Sequence, residues 1–445
     1  MTDRSDDGLP PEQLPPVSGP LTGQDAAPAP APAPAPADEI PPPPRSNQIM
    51  REILRGSVVT TILAIVLAMV VGGILIAVTN PRVQETAGWF FARPADFFGA
   101  VWDAVFGAYE ALFRGSIFNE RANGFAVQIR PLTNTLGFAA PLIAAGLGVA
   151  LAFRVGLFNI GARGQMLIAC AATALFTFSF DLPAAIHLPL AVLVGIAGGA
   201  LWGGLAGLLK ARTGAHEVIL TIMLNYVAFY LVTWMVRTQG LLQRPGSNQP
   251  ISMATPASAQ FPSLFGPQFP LLNWGFVVVI LATLFVWWLI ERSSLGFRMR
   301  AVGENPHAAR AAGISVSRMY VYAMLFAGGL AGLAGMNQVL GSVTSGFDGL
   351  IDAGIGFDAI TVALLGRSRA WGTFVAGLLF GALKAGSFTM QASQGIPVDI
   401  VLVVQSLIVL FIAAPPLVRT IFFLPKDESE KSARARARAA KKAVA

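Results

Sequence analysis

The stretch NWGFVVVILATLFVWWLIERSSLGFRMRAVGENPHAARAAGISVSRMYVYAMLFAGGLAGLAGMNQVL, residues 273–340, holds two apolar runs separated by a short charged element. Each run, 273–290 and 318–340, approaches the ~20 residues that an α-helix needs to cross ~30 Å of hydrocarbon at ~1.5 Å per residue. Between them, residues 296–315 carry Arg298, Arg300, Glu304 and Arg310 among three glycines and one proline. Two membrane crossings joined by a compact polar element is therefore the reading from which the rest of the chain is built.

The whole sequence follows the same pattern. Its mean hydropathy is +0.62, with 54% hydrophobic and only 12% charged residues, values outside the soluble globular range. Apolar runs at about 57–79, 132–153, 161–181, 184–209, 218–236, 273–290, 318–340, 355–366, 371–390 and 397–416 predict an all-α polytopic membrane protein with about ten transmembrane helices. The run 355–366 is too short to span alone, so some helices are expected to be discontinuous. The first run starts at Val58, too late for a signal peptide. One cysteine, Cys170, and three scattered histidines (His187, His216 and His307) exclude a disulfide framework and argue against a metal site. The net charge of +7 reads as membrane orientation rather than nucleic-acid binding.

Residues 1–48 contain a repeating Ala-Pro tract that favours extended polyproline II and offers nothing to build a core; a disordered cytoplasmic arm is expected there. The transmembrane domain is placed at 49–416. Within it, 80–131 reads as an external loop with an aromatic, amphipathic helix lying in the interface. With the N-terminus inside, Lys and Arg concentrate in cytoplasmic segments, including 291–317, and both termini are cytoplasmic. The tail 417–445 is basic and suited to touching anionic membrane lipid, at ~1 kcal/mol per charge near the surface, or to remaining solvated. Glycines such as those in GIAGGALWGGLAGLL (195–209) and AGGLAGLAG (327–335) predict close helix packing.

The element at 296–315 has its own local logic. Asn305 is a good N-cap and Pro306 suits the first helical position. HAARAA then favours helix, and Gly313 supplies a left-handed stop. About two turns result, too short to stand alone in water and therefore held by its ends or by a partner; an ordinary basic loop is the alternative.

GFRMRAVGENPHAARAAGI resembles the coupling loop of ABC-transporter permeases of the branched-chain amino acid, simple sugar and nucleoside importer superfamily. GLFNIGARGQMLIA (156–169), HEVILTIMLNYVA (216–228), GFDAITVALLGRSRAWGTFVAGLLFGALKAG (356–386) and IPVDIVLVVQSLIVLF (396–411) resemble its nucleoside and simple-sugar branch in order and spacing. One position departs: Arg163 stands where that branch usually carries an acidic residue. The resemblance implies two permease chains, the second a paralogue, with separate ATP-binding subunits and an extracytoplasmic substrate-binding protein in a bacterial-type plasma membrane. Contacts to the ATPase would fall on Arg298, Arg300, Gly303, Glu304, Asn305, Pro306, Ala308, Ala309, Arg310 and Gly313.

No G-x-x-x-x-G-K-[ST] phosphate loop occurs, so ATP and Mg would be bound by the partner and this chain carries no cofactor and no enzymatic constellation. Polar groups at membrane depth mark the expected substrate path: Asn159, Gln165, Asn225, Asp358 and Lys384 first, then Asn337, Gln338 and Gln405. Asp358 and Lys384 are candidates for pairing, as substrate contacts or as a structural bridge. Asn159 sits in FNIG, where flanking glycines permit a broken helix lining a cavity. Asp348 and Asp352 read as a solvated external loop, with the border of an outer gate or a contact to the binding protein as alternatives. A branched-chain amino acid permease, an ion-coupled secondary transporter using Asp358 and Lys384, and a non-transporting membrane scaffold remain as rival readings.

Overall fold

The computed structural model describes residues 57–423. The arm at 1–48, and the tail beyond residue 423, lie outside the described residues. What is described is helical, with two isolated bridges (Gln243 to Ser252 and Ser263 to Asn273) and no strand.

The helices run in chain order: α1 (Ser57–Thr79), α2 (Pro81–Ala87), α3 (Pro94–Ser116), α4 (Phe125–Arg154), α5 (Ala162–Ser179), α6 (Ala184–Thr213), α7 (Glu217–Arg237), α8 (Trp274–Arg292), α9 (Ser294–Glu304), α10 (Pro306–Ala311), α11 (Val316–Asn337), α12 (Ile355–Leu365), α13 (Ala370–Gln394), α14 (Val398–Ala413) and α15 (Pro415–Ile421). All ten expected apolar runs are helical. Seven are long and apolar enough to cross a membrane: α1, α4, α6, α7, α8, α11 with the π-helical turn Gln338–Ser342 that extends it, and α13. The other three are α5, α12 and α14. At 11 residues, α12 rises about 16 Å, half a bilayer core, which is the discontinuous element expected at 355–366. Several boundaries differ by a few residues: α6 and α13 each run four residues further, to Thr213 and Gln394. Helix α4 begins at Phe125 rather than 132 and runs through Pro131. The last run ends at Ala413 rather than 416, because Pro415 opens the separate short helix α15.

Burial follows composition. A helix apolar on every side belongs inside a bundle, and every residue of α4 from Ala139 to Ala152 is buried. Helix α11 is its buried neighbour, whereas α6, α7 and α8 each bury well under half of their apolar window and turn the remainder outward.

Small residues decide the approach distances. Gly195, Gly199, Gly203 and Gly207 of α6 recur every four residues and face Met336, Gly332, Gly328 and Met324 of the antiparallel α11. A methyl group on Gly203 would lie 2.9 Å from the Gly328 Cα, so backbone touches backbone. In lipid, where apolar burial between helices gives little drive, dispersion at such close range is the main cohesive term.

A second apolar cluster joins α1, α3, α13 and α14. Helix α3 is the aromatic, amphipathic segment expected at the interface. Its Ala100, Ala104, Ala108 and Ala111 are buried. Gly115 meets Thr389 and Gly386 of α13, and the Tyr109 hydroxyl donates to the Met69 carbonyl of α1. Phe98, Trp102, Phe106 and Phe113 point outward.

At the end of the bundle opposite α9 and α10, residues 238–273 fold over the π-helical turn. Thr255 Oγ1 donates to the Val339 carbonyl (2.9 Å), and the Phe261 amide donates to the Leu340 carbonyl (2.8 Å). The carbonyls that an α-helical end leaves free are thereby satisfied.

Candidate functional site

Two sites emerge, one at an end of the bundle and one within it. At the end, Ser293 caps α9, its Oγ accepting from the Gly296 amide at 2.9 Å. Met299 and Val302 of α9 are buried, while Phe297 and Arg298 are exposed. Gly303 packs directly on the Arg154 carbonyl at the end of α4. Asn305 then caps α10: its Oδ1 accepts from His307 N (2.9 Å) and Ala308 N (3.1 Å), with Pro306 at the first helical position. The stop is a Schellman arrangement, with Gly313 N donating to Arg310 O and Ile314 N to Ala309 O, both at 3.0 Å. Gly313 has φ +80°, which a side chain would strain.

The ten residues assigned to this element divide by direction. Ala309 is 4% exposed and anchors α10 to the bundle, whereas Arg298, Glu304, Ala308 and Arg310 face outward. Arg300 is turned inward: Glu291 accepts from Arg300 Nη1 (3.4 Å) and from Arg154 Nη2 (2.9 Å). One carboxylate thus ties α4, α8 and α9 together, so a six-residue helix that could not survive alone becomes a fixed projection.

Inside the bundle, the chain leaves α4 at Arg154 and starts α5 only at Ala162. Asn159, Gln165 and Asn225 hold this break. Asn159 and Gln165 exchange side-chain hydrogen bonds at 3.2 Å, and Asn159 Oδ1 also accepts from Gly161 N at 2.9 Å. From α7, Asn225 Oδ1 accepts from Gly164 N (2.8 Å) and its Nδ2 donates to Ile160 O (2.9 Å). All three are buried, and the amides serve the backbone that the break would otherwise leave unpaired.

A second helix start meets this one. Gly354, at φ +80°, precedes α12, and Gly356 lies so close to Arg163 that a methyl group there would collide with the Arg163 backbone. The Arg163 Nε donates to Asp352 Oδ1 at 3.2 Å, and Asp352 Oδ2 accepts from Gly354 N at 3.3 Å. The guanidinium also lies over Phe229 (5.3 Å) and Phe357 (5.8 Å), two cation–π contacts. Two helix N-termini and their partial positive charge therefore converge where Arg163, Asp352, Asp358 and Lys384 gather.

Two expectations need correcting. Asp352 is not part of a solvated loop: it is 2% exposed and ion-paired, although Asp348 in the same segment is exposed. Asp358 and Lys384 form no salt bridge; Lys384 Nζ reaches the Ala353 carbonyl at 3.4 Å instead. They remain within electrostatic range of each other and of Asp352.

Comparison with known proteins then places the chain. The family profile described as "Branched-chain amino acid transport system / permease component" matches residues 132–413. The chain belongs to this permease family. The permease is 35% identical over 363 residues to the guanosine ABC transporter permease protein NupP of Bacillus subtilis, covering 81% of this chain and 94% of that one. It is 34% identical over 357 residues to the nucleoside ABC transporter permease protein NupB of Lactococcus lactis (78% and 94%). It is also 35% identical over 289 residues to the glucose ABC transporter permease protein TsgB13 of Haloferax volcanii (63% and 75%). No solved structure gives a significant match.

Sequence reasoning missed Phe229, Phe357 and the burial of Asp352. The signal it had was Arg163 itself, a charge in an apolar run that required a partner. The amides have a testable consequence. Asn225→Leu removes the acceptor of Gly164 and the donor to Ile160, which should cost about 1–3 kcal/mol per buried group left unpaired. A lowered Tm of the detergent-solubilised permease is the expected reading, and an unchanged Tm would contradict it.

Proposed function

We propose that this permease forms the translocation path of an ATP-driven importer for nucleosides or related simple sugars, and that ATP is hydrolysed on separate subunits. The observation that carries this reading is α10: a capped, rigidly held helix that presents Ala308 and Arg310 outward on a chain without a phosphate loop. Small side chains allow a groove on another protein to approach closely, and Arg310 supplies a charge for orientation. The substrate class rests on likeness to NupP and NupB over most of the chain, with TsgB13 supporting the sugar alternative.

On this reading α9 and α10 face the cytoplasm, and both termini lie there, in a bacterial-type plasma membrane. The partners are an ATP-binding subunit, a second permease that is a paralogue, and an extracytoplasmic substrate-binding protein; nucleic acid is not among them. The chain itself is not an enzyme and holds no cofactor. Movement of the ATPase pair transmits through α10 to Gly303 and the end of α4, and through Glu291 to α8. The converging starts of α5 and α12 then line the substrate path, where the aromatic rings of Phe229 and Phe357 and the charged side chains beside them can meet a polar, planar ligand. An ion-coupled mechanism draws less support, because the relatives that match most of the chain are ABC transporter permeases.

Reconstitution with its cognate subunits tests the proposal. Ala308→Trp with Arg310→Glu alters only outward-facing positions, so the variant should fold and span the membrane normally. ATP-driven nucleoside uptake should fall by at least about tenfold, the size of a typical coupling free energy. Uptake at the wild-type rate would overturn the coupling assignment. Glucose transported in preference to guanosine would move the substrate to the sugar class.

A further inference from the structure

A cleft of about 1190 Å³ opens at the end of the bundle that carries α9. Its apolar walls come chiefly from three helices, Ile62 of α1, Trp287 and Ile290 of α8, and Trp371, Val375 and Leu379 of α13, with Leu151 of α4 and Leu365 of α12 behind them. Ile62, Val375 and the two tryptophans are exposed, so nothing among the described residues covers them. Its mouth is strongly basic. Among the described residues, Arg154, Arg292, Arg300, Arg367 and Arg369 line it together with a single carboxylate, Glu291, which Arg154 and Arg300 already engage.

Two further features point the same way. Arg292 and Arg369 make no ion pair among the described residues, and the Arg292 guanidinium lies 5.6 Å from the Trp287 ring centroid, holding the charge beside an indole at the depth where tryptophan meets lipid headgroups. The turn behind the mouth is strained: Arg367 (φ 53°) and Ser368 (φ 52°) are consecutive non-glycine residues in the left-handed region. Such strain persists where surrounding structure imposes it and concentrates at binding sites. Here it sets Arg369 at the rim, while Arg154 Nε anchors the turn by donating to Ser368 O at 3.2 Å.

From these observations we infer that the cleft is a binding site for an anionic phospholipid, with the acyl chains between α1, α8 and α13 and the phosphate held by Arg292 and Arg369. The charge complementarity selects the occupant: a zwitterionic headgroup would bring its own cation into a cluster of arginines, whereas an anionic one neutralises the excess. Bound lipid would bridge α1 to α8 on the side where α9 begins, adjoining the element through which the permease is proposed to be driven. The site does not depend on that proposal, since phosphate headgroups border both membrane faces.

Native mass spectrometry of the full chain with its cognate subunits, extracted from mixed phosphatidylglycerol and phosphatidylcholine, tests this directly. The wild type should retain phosphatidylglycerol preferentially, and R292Q/R369Q should lose most of that preference. R212Q, a control arginine at the end of α6, should keep it. A diazirine-bearing phosphatidylglycerol should label wild-type residues within 365–379, a readout that needs no variant to fold. Equal retention of both lipids, an unchanged preference in R292Q/R369Q, an equal loss in R212Q, or label spread evenly over the membrane surface would each overturn the site. So would a W371C variant that cross-links to a partner subunit in the assembled complex, since the cleft would then hold protein.

Discussion

Asp352→Ala should abolish transport and strongly destabilise the permease. Asp352 is 2% exposed and the acceptor for Arg163, so its removal leaves the guanidinium against Phe229 and Phe357 without the carboxylate it is bonded to. Breaking a buried pair from one side costs about 3–5 kcal/mol, a large share of a marginal stability. The same loss frees Gly354 N, which Asp352 Oδ2 accepts, and with it the start of α12. Arg163→Met combined with Asp352→Leu removes both charges and should recover much of the Tm, because an apolar replacement of a buried pair is often neutral or better. Uptake should stay low in that double variant if the pair orients the two helix starts towards ligand. A single Asp352→Ala variant with unchanged Tm and uptake would refute the pairing.

A comparable effect is expected from Gly328→Leu. The Gly328 backbone touches Gly199 and Gly203, so no rotamer of a larger residue fits without separating α6 from α11. Inserting bulk into a packed core costs about 1–3 kcal/mol when side chains can yield; here the obstacle is backbone, and the cost should reach the top of that range or beyond. Gel filtration should show aggregated or absent protein. A monodisperse, fully active Gly328→Leu permease would mean that the two helices do not meet along this face. Gly313→Ala is the mild counterpart: it strains one left-handed stop, costing about 1 kcal/mol.

Much of this was legible because its causes are local. The Asn305-Pro306 start and the Gly313 stop of α10 are decided within ten residues, by groups that cap their own neighbours, and they were read correctly from sequence. Long apolar runs found their helices for the same reason. The Arg163–Asp352 pair joins residues 189 positions apart, and no window of sequence contains both. GFDGLIDAGIG resembled a solvated loop because its composition is that of a turn; Asp352 within it is buried because Arg163 of α5 and the adjoining α7 lie against that part of the segment. Asp358 and Lys384 were candidates for pairing only as the strong charges of the later spans, and their actual placement depends on how α12 meets α13. Asn159 was correctly located at a break, but sequence could not reveal that Asn225, 65 positions beyond Ile160, satisfies the backbone of the same break.

The seam between α6 and α11 also constrains how this molecule can move. Interdigitated main chains cannot slide by a fraction of a turn or roll without separating, so these two helices must travel as a single beam. Opening and closing then has to be done around that beam, by the elements whose neighbours are side chains: α1 with α14, and α8 with the segment beneath it. Distances measured by spin labels between α6 and α11 should accordingly stay fixed through the transport cycle, while those from α8 to α11 change.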